Sequence, residues 1–340
     1  MTSEPTLAVV LCTYNGEEYL ARQLESIAAQ SRPPDSLVVR DDRSTDTTLQ
    51  ILDKFSGEAS FPVLVHVNTE RLGYNANFAA AMGDAEADLI AFCDQDDVWY
   101  PEKLSVLSGL LSKDTAAGAA CADATCVDGD GKPLGYSVWQ KLKFTSHDRR
   151  QMHTTGDVRR LLRDNVISGH CTMMRARFRD LVLPVSSHGF YDYWLALLIQ
   201  SVSHFAFAET PLSDYRVHGS NAVGLPGSDL TLSGIAKRRL RMVTTANERQ
   251  PTLTENRKHA RSERVQFASD LLERLDAISP QAPLVEPQRT IKSWMVFCSF
   301  RATLSPNVAK RVIPVIHELR NGNYERFAKR EKSLYDLLLG

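Results

Sequence analysis

Asp94, Asp96 and Asp97 place three carboxylates within four positions of AFCDQDDVWYPEKL, residues 91–104. Like charges this close repel each other, so the cluster asks for a counter-charge. A hard divalent cation supplies one, and carboxylate oxygens suit Mg²⁺ or Mn²⁺. Helix capping explains a single acid such as Asp46 well. It explains three carboxylates directly after the apolar run 89–93 poorly. Other polar groups follow other apolar runs in the same way. Thr13, Tyr14, Asn15 and Glu17 come after the first run, and Asp41, Asp42, Ser44, Thr45 and Asp46 after the second.

The runs that carry these groups are LAVVLC (7–12), LVVR (37–40), VLVHV (63–67) and LIAFC (89–93). Short, continuous and rich in Val, Leu and Ile, they read as strands buried on both faces. Helical spacing lies between them: Leu20, Leu24 and Ile27 in 16–30, the stretch 46–55 with Asp46 as N-cap, and an Ala-rich stretch 75–85 ending near Gly83. Pro101 suits the first turn of a further helix over 101–113. Alternation of this kind predicts an α/β fold, a mostly parallel sheet flanked by helices with right-handed crossovers. In such a sheet ligands bind beyond the carboxyl ends of the strands, so the polar groups above should converge on one edge. Further on, 127–135 reads as a turn-rich loop, 157–165 and 191–202 as helices, and 217–230 as a Gly- and Ser-rich linker. From about 232 the pattern is helical, broken around Pro280, Pro283 and Pro287.

Composition bounds the class. The chain has 340 residues, 43% of them hydrophobic, enough for a full core. No run approaches the roughly 20 apolar residues of a membrane span. The short polar start, Met1 to Pro5, is unlike a signal peptide, which favours a cytoplasmic protein. The six cysteines (12, 93, 121, 126, 171 and 298) form no CxxC pair, and reduced, buried thiols are expected. Net charge is −1, unevenly spread: residues 1–228 hold 20 Lys+Arg and 29 Asp+Glu, residues 229–340 hold 20 and 12. Two regions are expected, 1–228 carrying the site and a basic helical region 229–340.

Four motifs, LCTYNGEEYL (11–20), VVRDDRSTDTT (38–48), RLGYNANFAAA (71–81) and DQDDVW (94–99), occur in order, and through them residues 6–224 resemble the family-2 glycosyltransferases. The resemblance implies the GT-A fold, a Rossmann-like nucleotide-sugar-binding domain. The DQDDVW form is similar to a rhamnosyltransferase-type branch that builds bacterial surface polysaccharides. By this resemblance 94-DQD-96 is the family's DxD motif, with Asp96, and with it Asp94, bridged by Mg²⁺ or Mn²⁺ to the donor diphosphate. Asp94 and Gln95 would also stand near the donor. Thr13, Asn15 and Glu17 would form the nucleoside edge, with Asp41 positioned for the base. Arg71 precedes Gly73, which lets backbone approach a ligand closely. Asn77 would face phosphates or sugar, or else cap a helix. Asp42 would hold Arg43 or cap the next turn.

The family moves a sugar from a nucleotide to an acceptor hydroxyl, and inversion needs one base for the hydroxyl proton. The resemblance gives that role to Asp192 in FYDYWLAL (190–197). There Tyr191 stands where relatives carry His or Glu. Tyr193 and Trp194 would wall the sugar and exclude water. His218 matches a position where a neutral imidazole can complete the metal's coordination, with Ser220 and Asn221 near phosphate oxygens. His170, in SGHCTMMR (168–175), either lines the acceptor pocket or is an ordinary buried histidine. In the tail, Trp294, Phe297 and Phe300 form a stripe flanked by Lys292 and Arg301. It either meets a membrane peripherally, near a lipid-linked acceptor, or packs on the protein. The expected partners are a nucleotide-sugar donor and a saccharide or lipid-linked saccharide acceptor, with no nucleic acid. The leading donor is dTDP-rhamnose. A UDP-hexose donor, a nucleotidyltransferase and an inactive sugar-nucleotide-binding protein are the alternatives. The acidic TYNGEE (13–18) sits where a nucleotidyltransferase would carry a basic phosphate loop.

Overall fold

The computed structural model describes residues 4–155, 157–218, 253–278, 285–305, 307–328, 332, 333 and 336. Ser220, Asn221, Pro280, Pro283 and most of the 217–230 linker lie outside the described residues. The chain forms two compact units. The first is Met1–Thr155, Val166–Val185 and Ser203–Leu230; the second is Gly156–Asn165, Ser186–Val202 and Thr231–Gly340. Residues 156–165 and 186–202, placed by the sequence reading with the N-terminal region, thus group with the tail.

The first unit is built on β1 (Leu7–Thr13), β2 (Ser36–Asp41), β3 (Val63–Val67), β4 (Leu89–Cys93), β5 (Val98–Trp99), β6 (Ala119–Val127), β7 (Pro133–Ser137), β8 (Thr172–Arg175) and β9 (Phe205–Arg216). They form one sheet in the order β3-β2-β1-β4-β8-β6-β9-β5, with β7 on β6. The four strands read from sequence pair in parallel. β8 runs antiparallel to both β4 and β6, so β6 points the same way as β4, and β9 is parallel to β6. The sheet is therefore mixed. The carboxyl ends of β1, β2, β4, β6 and β9 share one edge, and their amino ends share the other.

β4, and β1 as far as Cys12, are apolar because helices cover both faces. On one face Leu7, Val9, Leu11, Leu89, Ala91 and Cys93 pack with Leu20, Leu24 and Ile27 of α1 (Leu20–Ala28) and Leu104, Leu107 and Leu111 of α4 (Lys103–Lys113). Truncating one of these leucines to alanine costs about 2–5 kcal/mol. α2 (Thr48–Glu58) and α3 (Tyr74–Asp84) complete the crossovers. Asp46 stands one residue before the cap position of α2, yet its Oδ1 accepts the Thr48 N–H at 3.0 Å. The loop expected at 127–135 is the turn of the β6–β7 hairpin. α5 (Val138–Leu142) follows, started by a capping box at Ser137, then α6 (Ser146–Thr155) and α8 (Arg179–Val182).

In the second unit, α7 (Arg159–Arg163) and α9 (Tyr191–Val202) join helices Leu253–Ile278, Val285–Ala302, Val308–Arg320 and Asn323–Phe327. Trp294 and Phe297 are buried, and Phe297 meets Tyr324 edge-on at 5.1 Å and Phe327 at 5.9 Å. Much of the aromatic stripe is thus core rather than a surface for lipid. Arg301, read as its flank, instead joins Arg261 on the buried carboxylate of Asp336, which also accepts the Tyr324 hydroxyl. Among the described residues, no helix is long and apolar enough to cross a membrane.

Candidate active site

The loops after β1 and β2 are tied together by the residues singled out in the sequence. Thr13 Oγ1 donates to Asp41 Oδ2 at 2.7 Å, and Ser44 donates to the same carboxylate through its amide and hydroxyl. Asn15 takes a left-handed backbone, φ 46°, which asparagine tolerates, and its Oδ1 accepts the Thr45 amide. Glu17 Oε2 accepts the Thr47 amide and hydroxyl. Thr13 and Asp41 are buried, while Asn15 and Glu17 stay exposed.

Arg43 donates to Thr69 O rather than to Asp42. Asp42 ties down a different loop. Its carboxylate accepts the amides of Leu72 and Gly73 at 2.7 and 2.9 Å, fixing the loop before α3. Gly73, with φ 79°, has a conformation that a side chain would strain. Arg71 stays exposed and lays its guanidinium over the Tyr14 ring at 3.8 Å. Asn77 is a correction: 3% exposed, it spends both ends of its amide internally, accepting from Asn68 and donating to Arg40 O. It faces no ligand. Gln95 pairs its amide with both the N–H and the carbonyl of Tyr14, at 2.9 and 3.1 Å, and so clamps the β1 loop to the acidic stretch. Gly16 leaves room for that amide, since a Cβ there would press on Gln95.

The acidic stretch splits by environment. Asp96 faces His218, with Nε2 2.8 Å from Oδ2, and the His218 ring lies 4.9 Å from that of Tyr19. Asp97 is fully buried, which raises its carboxyl pKa well above the usual range, helped by Asp96 and Asp94. Its Oδ1 accepts the Arg216 amide. Among the described residues its Oδ2 has no hydrogen-bond partner, and neither does His170 Nε2, 3.7 Å away. Burial drives the His170 pKa well below 6.5, so the ring is neutral at pH 7. It stacks on Tyr215 at 5.0 Å, and Nδ1 is 3.8 Å from Asp94 Oδ2.

Sequence reasoning missed the two cations here. Lys103 is fully buried, donates from Nζ to His170 O at 2.6 Å and lies over the Trp99 ring. Arg216 is 2% exposed and donates to the carbonyls of Asp96 and Gly129. They supply part of the counter-charge that the three aspartates demand. Nothing local in the sequence marks them, because an alternating strand and the start of a helix both carry Lys and Arg on ordinary exposed faces. The donor chemistry also fits a divalent cation. Asp94, Asp97 and His170 each offer a ligand atom within 4.8 Å of the others. Two donors on one octahedral ion with bonds of about 2.0–2.1 Å stand about 3 Å apart, which the Asp96–His218 spacing matches.

The family model for glycosyl transferase family 2 matches residues 8–182. The chain belongs to this family. An uncharacterized family relative, glycosyltransferase alr2836 of Nostoc sp., is 24% identical over 218 residues, 63% of this chain and 66% of the relative. The dTDP-rhamnosyl transferase RfbG of Shigella flexneri is 36% identical over 100 residues, 28% of this chain and 34% of RfbG. The match thus spans just under two thirds of the first relative and about a third of the second. The solved structure of S. aureus TarS 1–349 in complex with UDP-GlcNAc superposes with a TM-score of 0.51 at 17% identity, covering 95% of this chain and 89% of that one. The fold is GT-A. In this family-2 chain the matched span contains both acidic loops and the DQD stretch, while His218 and Asp192 lie beyond it.

Asp192 belongs to the second unit, in the first turn of α9. Its Oδ1 accepts the Tyr193 amide at 2.6 Å and the Asn165 side-chain amide at 3.1 Å. Tyr193 and Trp194 differ from expectation. Tyr193 stacks on Phe267 at 5.2 Å and donates its hydroxyl to Leu161 O, and Trp194 is 2% exposed against the same Phe267. Both are core packing of their unit rather than walls of a sugar site.

Proposed function

We propose that the chain is an inverting, metal-dependent glycosyltransferase that moves a sugar from a nucleoside diphosphate donor to a saccharide hydroxyl. The observation that carries this is the Asp96–His218 pair at the carboxyl edge of the sheet, beside the loops of Thr13, Asn15, Glu17 and Asp41. Asp96, His218 and Asp94 would hold Mg²⁺ or Mn²⁺. When bound, the ion neutralises charge that develops on the leaving diphosphate. The chain's own residues do the rest. Arg71, on its loop fixed by Asp42, offers a cation to the diphosphate. Asn15 and Glu17 present polar groups to the nucleoside. Gln95 keeps the loop of β1 and the DQD stretch in register. Asp192 takes the proton from the acceptor hydroxyl as the new bond forms.

The reading favours dTDP-rhamnose as donor, supported by the DQDDVW form and by the identity of the segment shared with RfbG. A UDP-hexose is the second reading, since TarS was solved with UDP-GlcNAc. The acceptor would be a saccharide or lipid-linked saccharide of a bacterial surface polysaccharide, met in the cytoplasm. Contact with the membrane's inner face would fall to the exposed Val312, Ile313 and Ile316. Cosedimentation with anionic vesicles that is lost in Ile313→Asp tests that contact. The enzyme reading is tested by nucleotide release from dTDP-rhamnose and UDP-hexoses with and without Mn²⁺. Release that requires both metal and acceptor supports it.

A further inference from the structure

At the amino edge of the sheet, opposite the carboxylate cluster, three side chains converge from separate elements. Asp114 follows α4 and precedes β6, His153 lies in the last turn of α6, and His204 immediately precedes β9. One ligand atom from each lies within 4.8 Å of the others. His204 Nε2 is 2.8 Å from Asp114 Oδ2, and His153 Nδ1 is 3.9 Å from the same oxygen. The imidazole planes cross at 84° with centroids 5.1 Å apart. Two imidazoles on one tetrahedral ion, with metal–nitrogen bonds of about 2.0–2.1 Å, have centroids about 5 Å apart.

The surroundings hold the donors in place. The other Asp114 oxygen, Oδ1, accepts the amides of Ala116 and Ala117, each at 3.1 Å, leaving Oδ2 turned to the histidines. The backbone of His204 is pinned by the Gly118 amide at 3.0 Å. Arg175, the nearby guanidinium, spends its donors on the carbonyls of Leu111, Ala117 and Asp114, not on the carboxylate. His153 Nδ1, the ring nitrogen that approaches Asp114 Oδ2, also lies 3.2 Å from Phe205 O, a contact it gives up when its lone pair turns to an ion. Its side chain is 47% exposed, so an ion can enter from solvent.

We propose that Asp114, His153 and His204 form a second metal site, for a borderline transition cation such as Zn²⁺, separate from the site at the DQD stretch. Two imidazoles and one carboxylate are a zinc donor set, with water as fourth ligand. The ion clips α6 to the start of β9 and to the turn before β6. It is structural and takes no part in sugar transfer.

Cobalt(II) and zinc(II) titrations of the full chain test the site. Tetrahedral cobalt absorbs visible light far more strongly than cobalt at an octahedral site. The expected result is one equivalent of cobalt with that absorption, displaced by zinc and retained in Asp96→Ala. His153→Ala, and independently His153→Gln, should lose it, with affinity falling tenfold or more. Zinc should raise Tm in the wild type and in Asp96→Ala, but in neither His153 variant, because only binding to the folded state stabilises. Visible absorption that survives both His153 substitutions, or that disappears in Asp96→Ala, overturns the proposal.

Discussion

His218 Nε2 stands 2.8 Å from Asp96 Oδ2, although 122 residues separate the two in the chain. β9 creates this meeting. It pairs with β5, just after the DQD stretch, placing Ser213 opposite Trp99 and Asp214 opposite Val98. The buried Arg216 then holds the Asp96 carbonyl. A strand from the far side of the sheet thereby delivers an imidazole to the acidic stretch.

His218→Ala should therefore weaken Mn²⁺ binding by roughly tenfold or more, since even groups that only support a metal ligand are worth 10–100-fold. Calorimetry with Mn²⁺ and donor nucleotide measures it. Unchanged affinity would leave His218 as a plain partner of Asp96.

Asp192 is the proposed base. Asp192→Asn keeps its shape and hydrogen bonds to the Tyr193 and Asn165 amides in part, but loses the proton acceptor. Turnover should fall by about 10²–10⁴-fold with donor affinity nearly constant, because the defect lies in the transition state. Paired rate and calorimetry measurements check this. Transfer at the wild-type rate would reject the role, and a parallel loss of donor affinity would make Asp192 structural.

His170 links the site to stability. Burial holds its pKa well below 6.5 in the folded chain, whereas the unfolded chain takes up a proton near 6.5. The unfolded state thus binds more protons as pH falls. The stability tied to neutral His170 is complete above about 6.5 and is lost below it, by up to about 1.4 kcal/mol per pH unit. Urea unfolding between pH 7.5 and 5.5 should show a shallower slope for His170→Gln than for the wild type. Equal slopes would contradict the burial argument.

The parallel half of the fold was legible in the sequence because both-face burial writes itself as unbroken apolar runs. All four predicted strands form at nearly the expected bounds. β6 was not legible: AACADATCV is Ala-rich and lacks the β-branched density that marks a strand. Legibility of the site followed the same line. Residues at strand ends, Thr13, Asp41 and Asp96, sit where the rule for open sheets puts them. Asn77 did not follow, because residue type reveals an amide but not whether the protein's own groups use it up. Lys103 and Arg216 were invisible because burial of a cation is a tertiary property.

Donor identity can be ranked without an acceptor. Ligands that bind only the folded state raise Tm, by an amount that grows with concentration over Kd. Thermal shifts with Mn²⁺ should be larger for dTDP and dTDP-rhamnose than for UDP and UDP-hexoses. The reverse order would replace the rhamnose reading with the hexose one.

The central claim is that the DQD stretch binds the donor diphosphate through a divalent cation held by Asp96. Calorimetric titration of nucleoside diphosphate into wild type and Asp96→Ala, each with and without Mn²⁺, tests it most directly. The account predicts that Mn²⁺ strengthens binding in the wild type only, and that Asp96→Ala stays folded because repulsion from Asp94 and Asp97 is relieved. Mn²⁺-dependent binding that is equal in a folded Asp96→Ala would contradict it.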